Sequence, residues 1–168
     1  MARAHLVEPG KIVGIYYTMK DEHGNVLDTN RKGGKPLAFL CGAGNVLPGL
    51  EKALRGKERN AFVDVTVEPA EAYGVVREDL IEVVPRATFS PELKLVQGAR
   101  IHGRDRAGKP MSATIRALDD ETVTLDRNHP MAGRALHFEV TVAGIRDPSS
   151  DERARRRPSD PGHTMRGR

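Results

Sequence analysis

The side chains best suited to covalent or metal chemistry are few in this sequence, and their spacing does not assemble them. Six histidines, His5, His23, His102, His129, His137 and His163, are scattered along 168 residues. None forms an HExxH, and the single cysteine, Cys41, leaves no CxxC. The spacings of zinc sites and dithiol redox sites are therefore absent. One cysteine makes no internal disulfide, and Cys41 reads as a core or pocket-rim residue in preference to a nucleophile. The loop from Arg31 to Lys35 lacks P-loop spacing, so Lys32 and Lys35 read as a solvated surface. No metal and no cofactor is expected from these spacings.

The stretch Leu37–Gly74 has the elements to build an apolar pocket. Pro48 suits the first turn of a helix, where its missing N–H would have no partner anyway. Leu47, Leu50 and Leu54 follow at i, i+3 and i+7, an apolar stripe, with Ala53 beside them. Glu51, Lys52 and Arg55 are expected on the wet side, and Gly56 to end the helix with a positive φ. Two turns are too short to stand alone in water, so the helix must lie on a sheet. Ala61 to Glu68 alternates with period two, a strand with Val63, Val65 and Val67 on one face. Pro69 and Gly74 then break it into a turn.

VLPGLEKAL, a strand, and VEPAEAYG in that order resemble the FK506-binding-protein (FKBP) type of prolyl isomerase. NHPMAGRALHFEV further on is similar to the segment by which SlyD-like members return to the FKBP domain. The resemblance implies an α+β fold, an antiparallel sheet wrapped on a short helix, with a small β-rich domain inserted in the flap. It implies peptidyl-prolyl cis–trans isomerase activity on unfolded or partly folded proline-containing chains. It also places the catalytic residues at Tyr17, Asp28, Tyr73 and Phe138, and the apolar lining at Leu37, Phe39, Val46, Leu47 and Leu50. Tyr73 would donate its hydroxyl to a substrate carbonyl, and Asp28 would orient its neighbours. Many FKBPs have tryptophan on the pocket floor; Leu50 stands there in this chain, which implies a roomier pocket.

The rest of the chain divides around that reading. Lys11–Lys20 is a strand, Asp21–Asn25 a turn, and Val26–Asp28 a short returning strand. Asn60 stands where SlyD-like sequences commonly carry glycine, and asparagine tolerates a left-handed backbone. The isomerase domain is expected over residues 1–75 and 127–147, and the inserted domain over 76–126, with strands at Ala99–Arg104, Pro110–Leu118 and Thr122–Leu125. Some fifty residues bury only a thin core. By resemblance the insert captures unfolded chains, and Ile81, Val83, Val84, Phe89, Leu93 and Met111 are its candidate surface. Residues 148–168, rich in Pro, Ser and Arg, are expected to be a disordered basic tail. The nickel-binding histidine tail of some SlyD proteins is not transferred, because this tail has only His163.

Composition sets outer bounds. The net charge is +4, with acidic and basic residues mixed, which gives no case for nucleic acid. No apolar run approaches a membrane span, and 1–13 lacks the apolar core of a secretory signal. A cytoplasmic monomer is the expectation. The alternative is a non-catalytic holdase that keeps the FKBP fold.

Overall fold

The computed structural model of the protein describes residues 5–165. Two compact units emerge. One takes the chain up to Gly74 and again from Gly133, and the other is Val75–Ala132.

The first unit is built on β1 (Ile12–Lys20) and β9 (Leu136–Arg146), which pair antiparallel along most of their length. β4 (Phe62–Val67) flanks β9 on its other side. The opposite edge of β1 is shared by two short strands, β2 (Val26–Thr29) and β3 (Leu37–Leu40). Between them a stretch of β1 has no partner strand, and a side chain fills the gap. Asn30 accepts from Tyr17 N at 2.7 Å and donates to Ile15 O at 3.0 Å and Lys35 O at 3.1 Å. It is buried, and it satisfies backbone groups that would be costly to leave unpaired.

Period-two alternation puts Val13, Ile15, Tyr17 and Met19 of β1 on one face with Leu136, Phe138, Val140 and Val142 of β9, all buried. The helix α1 (Pro48–Leu54) turns Leu50 and Leu54 into this core. It comes close to the sheet because residue 49 has no side chain. A Cβ there would lie 2.5 Å from Val67 Cγ1 and 3.1 Å from Glu71 Cβ. Glu51 departs from the wet face expected of it. It is buried and accepts from the Gly42 backbone, so it ties the 41–44 loop to the helix. Asn60 has φ 71°, the left-handed backbone foreseen for it.

The second unit is a four-stranded antiparallel sheet in the order β5-β8-β7-β6 (Ile81–Pro85, Thr122–Asp126, Pro110–Leu118, Arg100–Arg104). Its buried core is Ala113, Ile115, Val123 and Leu125. The unit extends to Ala132, beyond the boundary expected at 126. Asn128 bonds both backbone groups of Arg77, accepting at 2.9 Å and donating at 3.1 Å, and so closes the base.

Residues 148–165 correct the expectation of a disordered tail. Ser149 and Glu152 form a reciprocal capping box at the start of α2 (Ser150–Arg155). Glu152 is buried and receives both Arg146 guanidinium nitrogens, at 2.7 and 2.8 Å, and the Ser159 backbone N–H at 2.9 Å. Its carboxyl is held far below the usual range, first by Arg146 and then by the Ser149 and Ser159 amides. Order comes from a buried carboxylate hub, and Pro158 and Met165 are buried beyond it.

Candidate active site

The residues assigned to the prolyl cleft lie in the first unit, where β1, β2, β3, β9 and α1 converge. The register of β1 sets its wall: Thr18 faces Thr29 and Met19 faces Asp28 on β2, while Ile15 faces Leu37 and Val13 faces Phe39 on β3. Leu37 and Phe39 therefore share a face two residues apart. Across the sheet Met19 opposes Phe138. The Tyr17 and Phe138 rings meet with centroids 6.3 Å apart at 49°. Leu47, Leu50 and Val46, from α1 and the loop before it, are buried.

The polar edge is one short hydrogen bond. The Tyr17 hydroxyl donates to Asp28 Oδ2 at 2.5 Å. Burial pushes the Tyr17 phenol far above its ordinary pKa, and the Asp28 carboxylate pushes it further. The hydroxyl is therefore a permanent neutral donor, and it holds Asp28 in place. Tyr73 is half-buried in the turn that follows β4, close enough to Tyr17 to act on its ionisation. Burial, reinforced by Glu51, raises the Cys41 thiol to about 11, so its thiolate is scarce at neutral pH.

The structure thus brings Tyr17, Asp28, Phe138, Leu37 and Phe39 onto one wall, with Val46, Leu47 and Leu50 from the helix side and Tyr73 at the turn. Sequence reasoning missed Met19, whose signal was available in the same period-two face as Tyr17. It also missed Asn30, which has no pattern signal because its role depends on the gap between two strands. A third omission is His163. Its Nε2 lies 3.3 Å from Asp28 Oδ1, and its ring meets Tyr17 edge-on with centroids 5.7 Å apart.

In the second unit Val84, Phe89, Leu93 and Met111 line an open groove of about 900 Å³, together with Ile101. Ile81 and Val83 do not line it; Val83 is 62% exposed elsewhere on the unit. Arg100, Arg104, Arg106 and Arg127 stand on its borders against Glu82 and Asp105.

Among the described residues one cluster has metal-ligand types at close range: Asp64, His137 and Glu139. Its donors are already engaged. His137 bonds Asp64 at 2.8 Å and Thr66 at 3.1 Å, and Lys20 donates to Glu139 at 2.8 Å. No helix among the described residues is long and apolar enough to cross a membrane.

Comparison with known proteins accounts for this architecture. The profile described as FKBP-type peptidyl-prolyl cis-trans isomerase matches residues 4–143. The SlyD isomerase of Treponema pallidum is 37% identical over 143 residues, 85% of this chain and 80% of that protein. SlyD of Haemophilus influenzae is 35% identical over 87% of this chain and 76% of its own length. SlyD of Escherichia coli K12 is 35% identical over 85% and 72%. The chain belongs to the FKBP-type peptidyl-prolyl cis–trans isomerases, as a SlyD-like member. Its reaction is rotation about X–Pro bonds, and its substrates are proline-containing polypeptides.

Proposed function

We propose that the Tyr17–Asp28–Phe138 cleft is where the X–Pro bond rotates, and that the inserted unit captures unfolded chains for it. The observation that carries this is the 2.5 Å Tyr17–Asp28 bond set against the Phe138 ring in a cleft otherwise walled by apolar side chains. Amide resonance raises a barrier of about 18–20 kcal/mol to rotation. Twisting the bond removes that resonance and makes the carbonyl less polar. An apolar cleft therefore favours the twisted amide over the planar one, relative to water. Every 1.4 kcal/mol of that preference is about a tenfold gain in rate. Leu50, Val46 and Phe138 surround the proline ring. Tyr73 donates to a substrate carbonyl in the twisted geometry. Asp28, fixed by Tyr17, shapes the polar edge and takes no proton. No covalent intermediate is formed.

The groove lined by Val84, Phe89, Leu93 and Met111 supports the capture role. It is apolar, open and partly lined by methionine, whose flexible thioether adapts to varied side chains. Its arginine-rich border favours clients with acidic residues beside their apolar ones. This reading includes a cytoplasmic monomer that binds neither membrane nor nucleic acid, supported by the mixture of charge signs along the chain.

The test is refolding of a proline-limited, unfolded protein with substoichiometric enzyme. Wild type should accelerate the slow phase. Tyr73→Phe should lose about tenfold or more in rate, as expected when a donor to the transition state is removed. Deletion of residues 75–132 should keep activity on short peptides and lose most activity on the unfolded protein. The ends it joins are already adjacent, since Gly133 N donates to Gly74 O at 2.8 Å. A wild-type chain that suppresses aggregation without changing the slow phase would favour the holdase reading.

A further inference from the structure

The cleft residues are sealed. Tyr17, Phe39, Leu50 and Phe138 are each 0% exposed, although a prolyl pocket must admit a proline ring. On the Leu37, Tyr17 and Asp28 side of these residues lies the chain's own segment after α2. It runs antiparallel to the edge of β3 that β1 leaves open, with Gly162 bridged to Leu37. Ala38 N donates to Pro161 O at 2.9 Å, and His163 N to Pro36 O at 3.4 Å. The five-membered His163 ring stands edge-on to Tyr17 and in reach of Asp28, where the polar edge of the cleft lies. Met165 follows, 2% exposed.

The seat is specific but loosely filled. Gly162 is required: its φ is +67°, and a Cβ there would fall 2.1 Å from Pro36 O. Yet a cavity of about 420 Å³ remains between the segment and Leu37, Ala38, Asn45 and Val46. Native cores are close-packed, whereas elements with few packed contacts open at low free-energy cost. The segment is extended, contains Pro158 and Pro161, and binds by strand addition. These are the features of a client.

We propose that residues 158–165 are an internal pseudo-substrate, and that the β3 edge and the cleft form one surface for extended proline-containing segments, which enter only when this strap leaves. The proposal rests on the cleft being the prolyl site. Tethering gives the strap a high effective concentration. If one molecule in about ten is open at a given moment, the apparent affinity for a client falls about tenfold.

The experiment uses the full-length chain as wild type and as two variants outside the catalytic set, Gly162→Val and Met165→Asp. Amide exchange at Ala38 reports strap release. A fluorescent peptide of residues 158–165 reports access to the cleft, and kcat/KM on a short X-Pro peptide reports catalysis. At least one variant should show faster Ala38 exchange, bind the peptide about tenfold more tightly than wild type, and gain about fivefold to tenfold in kcat/KM. Excess unlabelled peptide should return that variant to wild-type activity. The proposal is overturned by unchanged Ala38 exchange in both variants, by equal peptide binding in wild type and variants, or by strap release that leaves kcat/KM level or lower in a folded chain. If no form catalyses but the peptide binds the released variants more tightly, the strap stands as the cleft's occupant and the isomerase assignment of the cleft falls.

Discussion

The two units of this chain are both antiparallel β structures, but they use burial in opposite ways. The first closes its core over three aromatic rings, Tyr17, Phe39 and Phe138, all 0% exposed, while Phe62 of β4 stays 61% exposed. The second has a core of four buried residues, none larger than Ile115 or Leu125, and keeps Val84, Phe89 and Met111 only partly covered beside an open groove. Differential binding of a twisted amide needs fixed, dry walls. Capture of varied unfolded segments needs apolar surface that is still available. Under the function proposed above, the chain divides those demands between a dense unit and a sparse one.

The contrast is sharpest under large-to-small substitution. Phe138→Ala should cost about 3–5 kcal/mol and Ile115→Ala about 2–5 kcal/mol. The second loss should be confined to its own unit. Hydrogen exchange across a urea series would show β1 and β9 amides still protected in Ile115→Ala. Loss of protection in both units together would break the comparison.

Glycine substitutions probe the same difference at smaller scale. Gly49→Val drives a side chain into Val67 and Glu71 and should cost about 1–3 kcal/mol by overpacking. Gly103→Ala on β6 meets nothing within 4 Å and should be neutral, or stabilising by about 0.4–1 kcal/mol through the unfolded chain. Denaturation midpoints of the two variants decide it.

Acid should loosen the strap before it touches the inserted sheet. The Glu152 carboxyl is depressed in the folded chain by Arg146 and two backbone amides. The unfolded chain therefore takes up the proton at higher pH than the folded one. The stabilisation is complete above the ordinary glutamate pKa of about 4.3 and is lost as pH falls below it. Exchange of the Ser159 amide, which Glu152 accepts, should rise as pH drops through this window, after correction for intrinsic exchange. In Glu152→Gln it should already be fast at neutral pH.

The smallest stability effect belongs to the groove. Leu93 is 47% exposed, so Leu93→Ser should change stability by no more than about 0.5 kcal/mol. With Met111→Ser added, suppression of aggregation should fall while kcat/KM on a short peptide stays at the wild-type value. A drop in both would tie the groove to catalysis.

Much of this was legible because it is local. Period two in β1, β4 and β9, the leucine spacing of α1, and the turn residues Gly56 and Asn60 are set by backbone geometry and near neighbours. The motif order VLPGLEKAL to VEPAEAYG carried the family. The tail was misjudged for a physical reason. Its few apolar residues supply no periodic signal, and its order depends on Glu152 finding Arg146 and on Met165 finding a cover. Glu51 was misjudged likewise, because its partner is the backbone of Gly42 in the preceding loop.

The sequence by itself determined the strands, the short helix, the inserted unit and the family, since alternation, spacing and motif order are properties of the chain read in line. Only the tertiary structure decided that Asn30 completes β1, that His163 lies within reach of Asp28, and that the β3 edge is paired by residues more than a hundred positions away. Those facts depend on which backbone groups are left unpaired and which surfaces are left uncovered once the sheet has formed, and no linear pattern records either.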